Sequence, residues 1–134
     1  MDARTEIIQQ LFEDSWKSTL EIYDDLLTVG SWFFLNELRT FICELYNQSF
    51  NKKFRIGTSM ERLIFSRSVE HGLRPDQKRV LIEPFSNERY HIRFYDFNTP
   101  GDRIQVFDEF TTENLSGNKR LLNNLTKLSN VLVD

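Results

Sequence analysis

Residues 79–110, RVLIEPFSNERYHIRFYDFNTPGDRIQVFDEF, decide the fold of this chain. The stretch contains three strand-like runs that are separated by two short turn-forming segments, Ser86–Glu88 and Asn98–Gly101. Because turns this short connect neighbouring strands that run in opposite directions, they predict an antiparallel meander rather than β-α-β units. The predicted strands are Arg79–Pro84, Arg89–Phe97 and Asp102–Phe110.

The middle strand alternates between apolar and polar side chains, as a strand with one covered face does. Tyr90, Ile92 and Phe94 share its apolar face, and Ile104 and Val106 point the same way in the third strand. We expect the opposite face of the sheet to be exposed to solvent. That face would carry His91, Arg93, Tyr95, Arg103 and Gln105.

Apolar residues that recur at three- and four-residue spacing predict helices on both sides of this segment. The short break at Val29-Gly30 between the first two helices predicts a helical hairpin. The predicted helices are Thr5–Leu27, a second that is capped by Ser31 and runs to about Gln48, and Asn118–Leu132.

A further helix is predicted between the hairpin and the sheet, over Ser59–His71. Thr58 with Glu61 three residues later has the pattern of a capping box, and Gly72 and Pro75 follow in the order typical of a helix end. The same segment also fits a period of two, at Leu63, Phe65, Arg67 and Val69.

Together these patterns predict one α+β domain that covers residues 1–134. It comprises an N-terminal helical hairpin and a third helix, a three-stranded antiparallel meander, and a C-terminal helix. A three-stranded sheet with one solvated face cannot enclose a core alone, so helices must cover its other face. The C-terminal helix has a leucine stripe that includes Leu125, and we expect it to pack on the sheet.

Charge is sorted along the chain. Residues 1–51 hold nine acidic and three basic residues, whereas residues 52–103 hold eleven basic and seven acidic residues. The formal net charge of the whole chain is −3 and its pI is near 5.4. Because phosphate-driven binding is typical of basic domains, we do not expect a nucleic acid as the partner.

No pattern typical of a catalytic or cofactor site is found in the sequence. His71 and His91 are not clustered with metal ligands or nucleophiles, and the glycines are scattered singly rather than gathered in a phosphate-binding loop. Neither Glu83 nor Asp108 is followed by the lysine that a restriction-type nuclease places two residues later. We therefore expect neither a cofactor nor a metal.

A weaker metal hypothesis concerns the acidic residues near the strand ends. If they gathered at one end of the sheet, their carboxylates would be suitable ligands for a hard cation. Acidic residues at such positions are usually solvated turn residues, and we favour that interpretation. The residues concerned are Asp96, Asp102, Asp108 and Glu109.

Cys43 is the single cysteine, so no intramolecular disulfide is possible and a reducing compartment is expected. Within its apolar helical stretch we expect it to be buried as a small hydrophobic residue. The acidic N-terminus lacks the apolar run of a secretory signal, and no stretch is apolar enough to span a membrane. We expect a cytoplasmic protein without membrane contact.

The polar side of the first helix is rich in carboxylates. A solvated helix face explains these residues without any partner, but such a face is also suited to a basic protein surface. The leading hypothesis is a non-enzymatic inhibitor of a toxin, and the favoured toxin is a nuclease with a basic groove. Small acidic proteins of this kind include bacterial immunity proteins and antitoxins. The predicted partner-binding residues are Glu13, Asp14, Glu21, Asp24 and Asp25.

Three alternatives remain open. The partner, a toxin or an effector, binds instead to the basic sheet face; the protein is a secretion or effector chaperone with an exposed apolar strip; or it is a small RNA-processing enzyme that uses His91, Arg93 and Tyr95. The residues of the alternative binding surface are Arg89, His91, Arg93, Tyr95 and Arg103.

Overall fold

The computed structural model describes residues 3–29, 33–59, 62–67, 78–85, 89–96 and 104–130. Over these ranges the chain forms an antiparallel five-stranded sheet in the order β1-β2-β3-β4-β5, with three α-helices and a single 3-10 turn at Phe50–Lys52. The helices are α1 (Ala3–Val29), α2 (Phe33–Asn47) and α3 (Lys119–Ser129). The strands are β1 (Arg55–Ser59), β2 (Arg62–Ser66), β3 (Lys78–Phe85), β4 (Arg89–Asp96) and β5 (Gln105–Thr112).

The α+β class and the meander are confirmed, but the sheet has two more strands than predicted. The predicted strands correspond to β3, β4 and β5, of which β5 begins and ends later than expected. Of the predicted helix ends, Ser31 and Leu132 lie outside the described residues, as do both turn segments of the meander.

The predicted helix over Ser59–His71 is wrong in the part that is described. Its first residues belong to β1 and β2, and Thr58 pairs with Leu63 across these strands instead of capping a helix. Leu63 and Phe65 are fully buried, and β2 also pairs with β3. Pairing with both neighbouring strands decided this segment, because β2 is an interior strand whose residues 63–66 are buried on both faces of the sheet.

One face of the sheet, called the inner face from here on, is packed against all three described helices. Tyr90 in β4 donates from its hydroxyl to Glu37 Oε2 in α2 at 2.9 Å. A single buried cluster joins side chains of α1, α2 and α3 to this face. Its strand residues are Ile56, Leu63, Phe65, Val80, Ile82, Tyr90, Ile92 and Phe94.

Helix α1 is fastened to the start of β1 by two polar contacts within the core. The indole Nε1 of Trp16 donates to the carbonyl oxygen of Phe54 at 2.8 Å, and the amide of Ile56 donates to Ser15 Oγ at 3.0 Å. Trp16 is fully buried, and its ring packs against Phe65. These contacts orient the helix, since they fix both its rotation and its height on the sheet.

Helix α3 is held on the inner face by its leucines and by one carboxylate. Asn118 caps the helix by accepting from the amide of Leu121 at 3.0 Å. Asp108 of β5 accepts from Arg120 Nε at 3.0 Å and from Asn124 Nδ2 at 2.9 Å. The predicted docking of the C-terminal helix on the sheet is thus confirmed, with a polar clamp that the sequence pattern did not reveal.

A β-bulge in β5 changes which side chains share a face. Asp108 lies opposite Phe94, but Val106 lies opposite Tyr95, so Phe107 is an extra residue between the two pairs. Gln105 therefore shares a face with its partner residue in β4, Asp96, and its assignment to the same face as Tyr95 is wrong. Val106 is 46 % exposed, because the bulge turns it to the outer face.

Removing the side chain of Leu125 beyond Cβ should leave a cavity between α3 and the sheet, since this residue is fully buried. We expect Leu125→Ala to lower the free energy of unfolding by roughly 2–5 kcal/mol in urea titrations. Asn123→Ala, at an exposed position of the same helix, is the matched control and should change it by less than about 0.5 kcal/mol. Equal effects of the two changes would contradict this packing.

Acid should weaken the clamp at Asp108. Hydrogen bonds from Arg120, and further from Asn124, lower the pKa of Asp108 from 3.8 to about 2. Because the folded-state pKa is depressed, the stability gained from this carboxylate is full above pH 3.8 and is lost as the pH falls toward about 2. We expect Asp108→Asn to be less stable than the wild type at neutral pH, with the difference shrinking over that window. If the difference in stability between the wild type and Asp108→Asn does not change with pH, the stabilising role of the ionised Asp108 carboxylate is contradicted.

Candidate functional site

Helix α1 has two sides with different chemistry. Its buried residues recur at four- and three-residue spacing and face the sheet; they are Phe12, Trp16, Thr19 and Tyr23. Burial raises the pKa of Tyr23 well above its usual range. At 100° per residue, Asp14, Glu21 and Asp25 lie on the opposite side, and all three are exposed. The core therefore fixes which carboxylates face outward.

The five predicted acidic residues do not all belong to that outward face. Glu13 is half-buried at its border. Asp24 is exposed but accepts from Arg39 Nε of α2 at 2.6 Å, and this contact raises the pKa of Arg39. The structure therefore brings together three of the five residues, Asp14, Glu21 and Asp25, and assigns Asp24 to the contact between α1 and α2.

The three outward carboxylates have no cationic partner among the described residues. Asp14 accepts a hydrogen bond from Gln10 Nε2 at 2.8 Å, and within the described ranges no ion pair shorter than 4.0 Å is formed by Asp14, Glu21 or Asp25. The whole of α1 holds six acidic and two basic residues. Its outward face thus keeps most of its negative charge.

The same face also carries exposed apolar side chains, which the sequence analysis did not assign to a binding surface. Ile7 is 62 % exposed, Leu11 37 % and Ile22 43 %. Their positions follow the helical repeat, but they are rotated away from Phe12 and Trp16, toward the carboxylates. That angular offset is the signal in the sequence that distinguishes them. We call the six residues Ile7, Leu11, Asp14, Glu21, Ile22 and Asp25 the α1 outer face.

The rival surface on the sheet is organised differently, because its cations are paired. His91 Nε2 and Arg93 Nε lie 3.0 and 2.9 Å from the same oxygen of Glu109, and Arg89 Nε lies 3.4 Å from Glu113. Arg103 lies outside the described residues. In the described part of this surface the positive charge is therefore largely compensated by neighbouring carboxylates.

Tyr95 was expected on an exposed face, and this is wrong. It is 3 % exposed, although it lies on the outer face of the sheet, with Ile64 and Leu81 in a second small buried cluster. Arg79 Nε donates to its hydroxyl at 2.5 Å, and the Arg79 and Arg93 guanidinium carbons lie 5.2 and 5.8 Å from its ring centroid. Tyr95 therefore supports the arginines instead of offering its ring to a ligand.

The other chemically suggestive residues are dispersed. Asp108 and Glu109 point to opposite faces of β5, where they contact α3 and the outer sheet respectively, so the strand-end metal hypothesis is not supported for this pair. In the ranges that the structure describes, no three His, Cys, Asp or Glu side chains are grouped as ligands of a metal ion. Cys43 is half-buried, not buried as expected, with Arg39 Nη1 3.9 Å from its sulfur. His71 lies outside the described residues.

A helix suited to crossing a membrane is likewise not found in the described ranges; α1 has sufficient length but carries too many charges. Comparison of the chain with models of protein families, with curated proteins and with solved structures gave no match in any of the three. The α1 outer face is the candidate functional site that the geometry offers.

Proposed function

We propose that this chain is a non-enzymatic binding protein that recognises a basic surface of a protein partner through the α1 outer face. The observation that supports this choice over the sheet is the pairing of charges. Asp14, Glu21 and Asp25 have no cationic partner among the described residues, whereas Arg89 and Arg93 each have a carboxylate.

The dimensions of the α1 outer face suit a protein partner. From Ile7 to Asp25 the helix rises about 27 Å, which matches the width of a standard interface. Its exposed apolar residues would supply buried area on either side of the carboxylates, while the carboxylates would guide the approach of a basic partner. A surface with charges alone would guide the approach of the partner but would bury little apolar area.

A toxin of the nuclease type is the partner that we favour. The active-site groove of such an enzyme is basic because it holds a phosphate backbone. A helix with carboxylates in a row, flanked by apolar contacts, fits such a groove and excludes the nucleic acid from it. The proposal is thus an inhibitor of the immunity or antitoxin type, acting by occlusion.

Charge reversal separates the two surfaces. We expect the triple change Asp14→Lys, Glu21→Lys and Asp25→Lys to slow association with the basic protein partner by about tenfold or more. Raising the salt concentration should slow the wild type in the same way, because exposed charges are screened beyond about 8 Å. The measurement is the association rate constant by surface plasmon resonance.

The matched control for that experiment is Arg93→Glu, which reverses charge on the sheet. It should leave association unchanged to within about twofold, and urea unfolding should show that both variants fold. Loss of binding in Arg93→Glu with none in the triple variant would move the site to the sheet and overturn the proposal.

The chaperone alternative is favoured by one observation, the exposed side chains of Ile7, Leu11 and Ile22. A chaperone that holds an unfolded segment would depend on these residues and little on charge. Replacing all three with serine should then abolish binding while the lysine triple variant still binds, and salt should have little effect. This combination of results would favour the chaperone over the inhibitor.

The enzyme alternative is favoured by the contact between His91 and Glu109, since a carboxylate beside histidine is a common arrangement in general-base sites. Under the binding proposal we expect the purified chain not to cleave RNA, with or without divalent metal ions. Cleavage that is abolished by His91→Ala would instead establish the enzyme.

A further inference from the structure

A cleft beside α3 carries chemistry that the binding proposal does not use. It lies between α3 and the end of the sheet where β3, β4 and β5 meet, and its volume is about 420 Å³. This falls within the range of about 300–1,000 Å³ that small-molecule sites occupy. It is lined by Lys78, Phe94, Phe107, Asn124 and Lys127.

The bulge in β5 creates the aromatic wall of this cleft. Phe107 is the extra residue of the bulge, and its ring centroid lies 5.0 Å from that of Phe94 with an angle of 53° between the planes. Phe107 is still 42 % exposed, although it packs on a core residue. A ring held in this way offers an apolar surface at the mouth of the cleft without being part of the core.

Two lysines from different elements line the same cleft. Lys78 belongs to β3, and its Nζ lies 5.6 Å from the Phe107 ring centroid; Lys127 lies in the last turn of α3. Neither forms an ion pair with any described residue within 4.0 Å. Lys127 also has a favourable position at a helix C-terminus, but that effect does not account for Lys78.

The neighbouring carboxylates do not neutralise these lysines. Asp108 is engaged by Arg120 and by Asn124, which is a buried residue. Asp96 is the ladder partner of Lys78, and no ion pair within 4.0 Å joins these two described side chains. The cleft therefore combines an apolar wall with positive charge and an oriented amide.

We propose that this cleft binds a small organic anion with a flat apolar body. Its phosphate or carboxylate group would lie between Lys78 and Lys127, and its apolar body against Phe94 and Phe107. Charge-assisted hydrogen bonds from the lysines and contact with the rings each supply part of the affinity, so neither half of the ligand is sufficient. The site is independent of α1 and of the proposed inhibition.

Phenyl phosphate is the probe that tests this chemistry, with inorganic phosphate and phenol as its two halves. In ¹⁵N-¹H correlation spectra of the full chain, we expect phenyl phosphate to shift the amides of Lys78, Phe107, Asn124 and Lys127 in a saturable way. The dissociation constant should lie at or below about 1 mM, and each half should bind at least about tenfold more weakly.

Variants distinguish binding of phenyl phosphate in the cleft from its general attraction to surface lysines. Lys78→Gln with Lys127→Gln should weaken binding by about tenfold or more, as should Phe107→Ser. Lys119→Gln, on an exposed lysine of the same helix, and Phe85→Ser, on an exposed ring at the end of β3, are the matched controls and should keep the wild-type affinity. Retained dispersion of the spectra would show that each variant folds.

Two results would overturn the proposal. The first is equal affinity for phenyl phosphate and inorganic phosphate, or an equal loss in Lys119→Gln, since both indicate surface charge alone. The second is the absence of saturable shifts in these amides up to about 10 mM phenyl phosphate, a concentration at which even an affinity of about −4 kcal/mol would be visible.

Discussion

The structure depends on how α1 is fastened to β1. The hydrogen bonds from Trp16 Nε1 to the Phe54 carbonyl and from the Ile56 amide to Ser15 Oγ join a buried helix face to the start of the sheet. Breaking either would leave a buried polar group without a partner, which costs more than the bond itself contributes. Because the contacts fix the rotation of α1, they also determine that Asp14, Glu21 and Asp25 face outward.

The segregation of charge along the sequence has a structural counterpart. The basic middle segment does not neutralise α1 in the described residues; its arginines pair with carboxylates close by, as Arg62 does with Glu83 and Arg93 with Glu109. The contact between Arg39 and Asp24 is the ion pair that the described part of α1 forms. An acidic helix face whose carboxylates form no ion pair with the described residues is the basis of the proposed recognition of a basic partner.

The sequence predicted the elements whose periodicity is long and bounded by strong turns. The alternation of β4 and the leucines of α3 lead directly to buried Ile92 and Leu125. The segment after Thr58 was predicted as a helix because the capping pattern is a local signal. It forms a strand instead, because Leu63 pairs with both β1 and β3. Short strands gain their stability from such partners, which local spacing does not reveal.

The candidate site was predicted in part for similar reasons. The outward carboxylates follow from the helical repeat alone. The pairing of Arg93 with Glu109 across β4 and β5, and the burial of Tyr95, depend on register and on the bulge. The single extra residue of the bulge, Phe107, reverses the face on which each preceding residue of β5 lies. The alternating sequence pattern does not predict the position of this bulge.

The attachment of α1 to β1 is tested most directly by hydrogen exchange at the Trp16 indole. The chain has two tryptophans, so the Trp16 signal is identified by its presence in Trp32→Phe. If the Trp16 indole is buried and bonded to Phe54 as described, its N–H should exchange only when the whole domain unfolds. Its exchange free energy should then equal the global free energy of unfolding to within about 1 kcal/mol. Exchange at a free energy several kcal/mol lower would show that α1 detaches by itself, and would contradict the account of a fixed outer face.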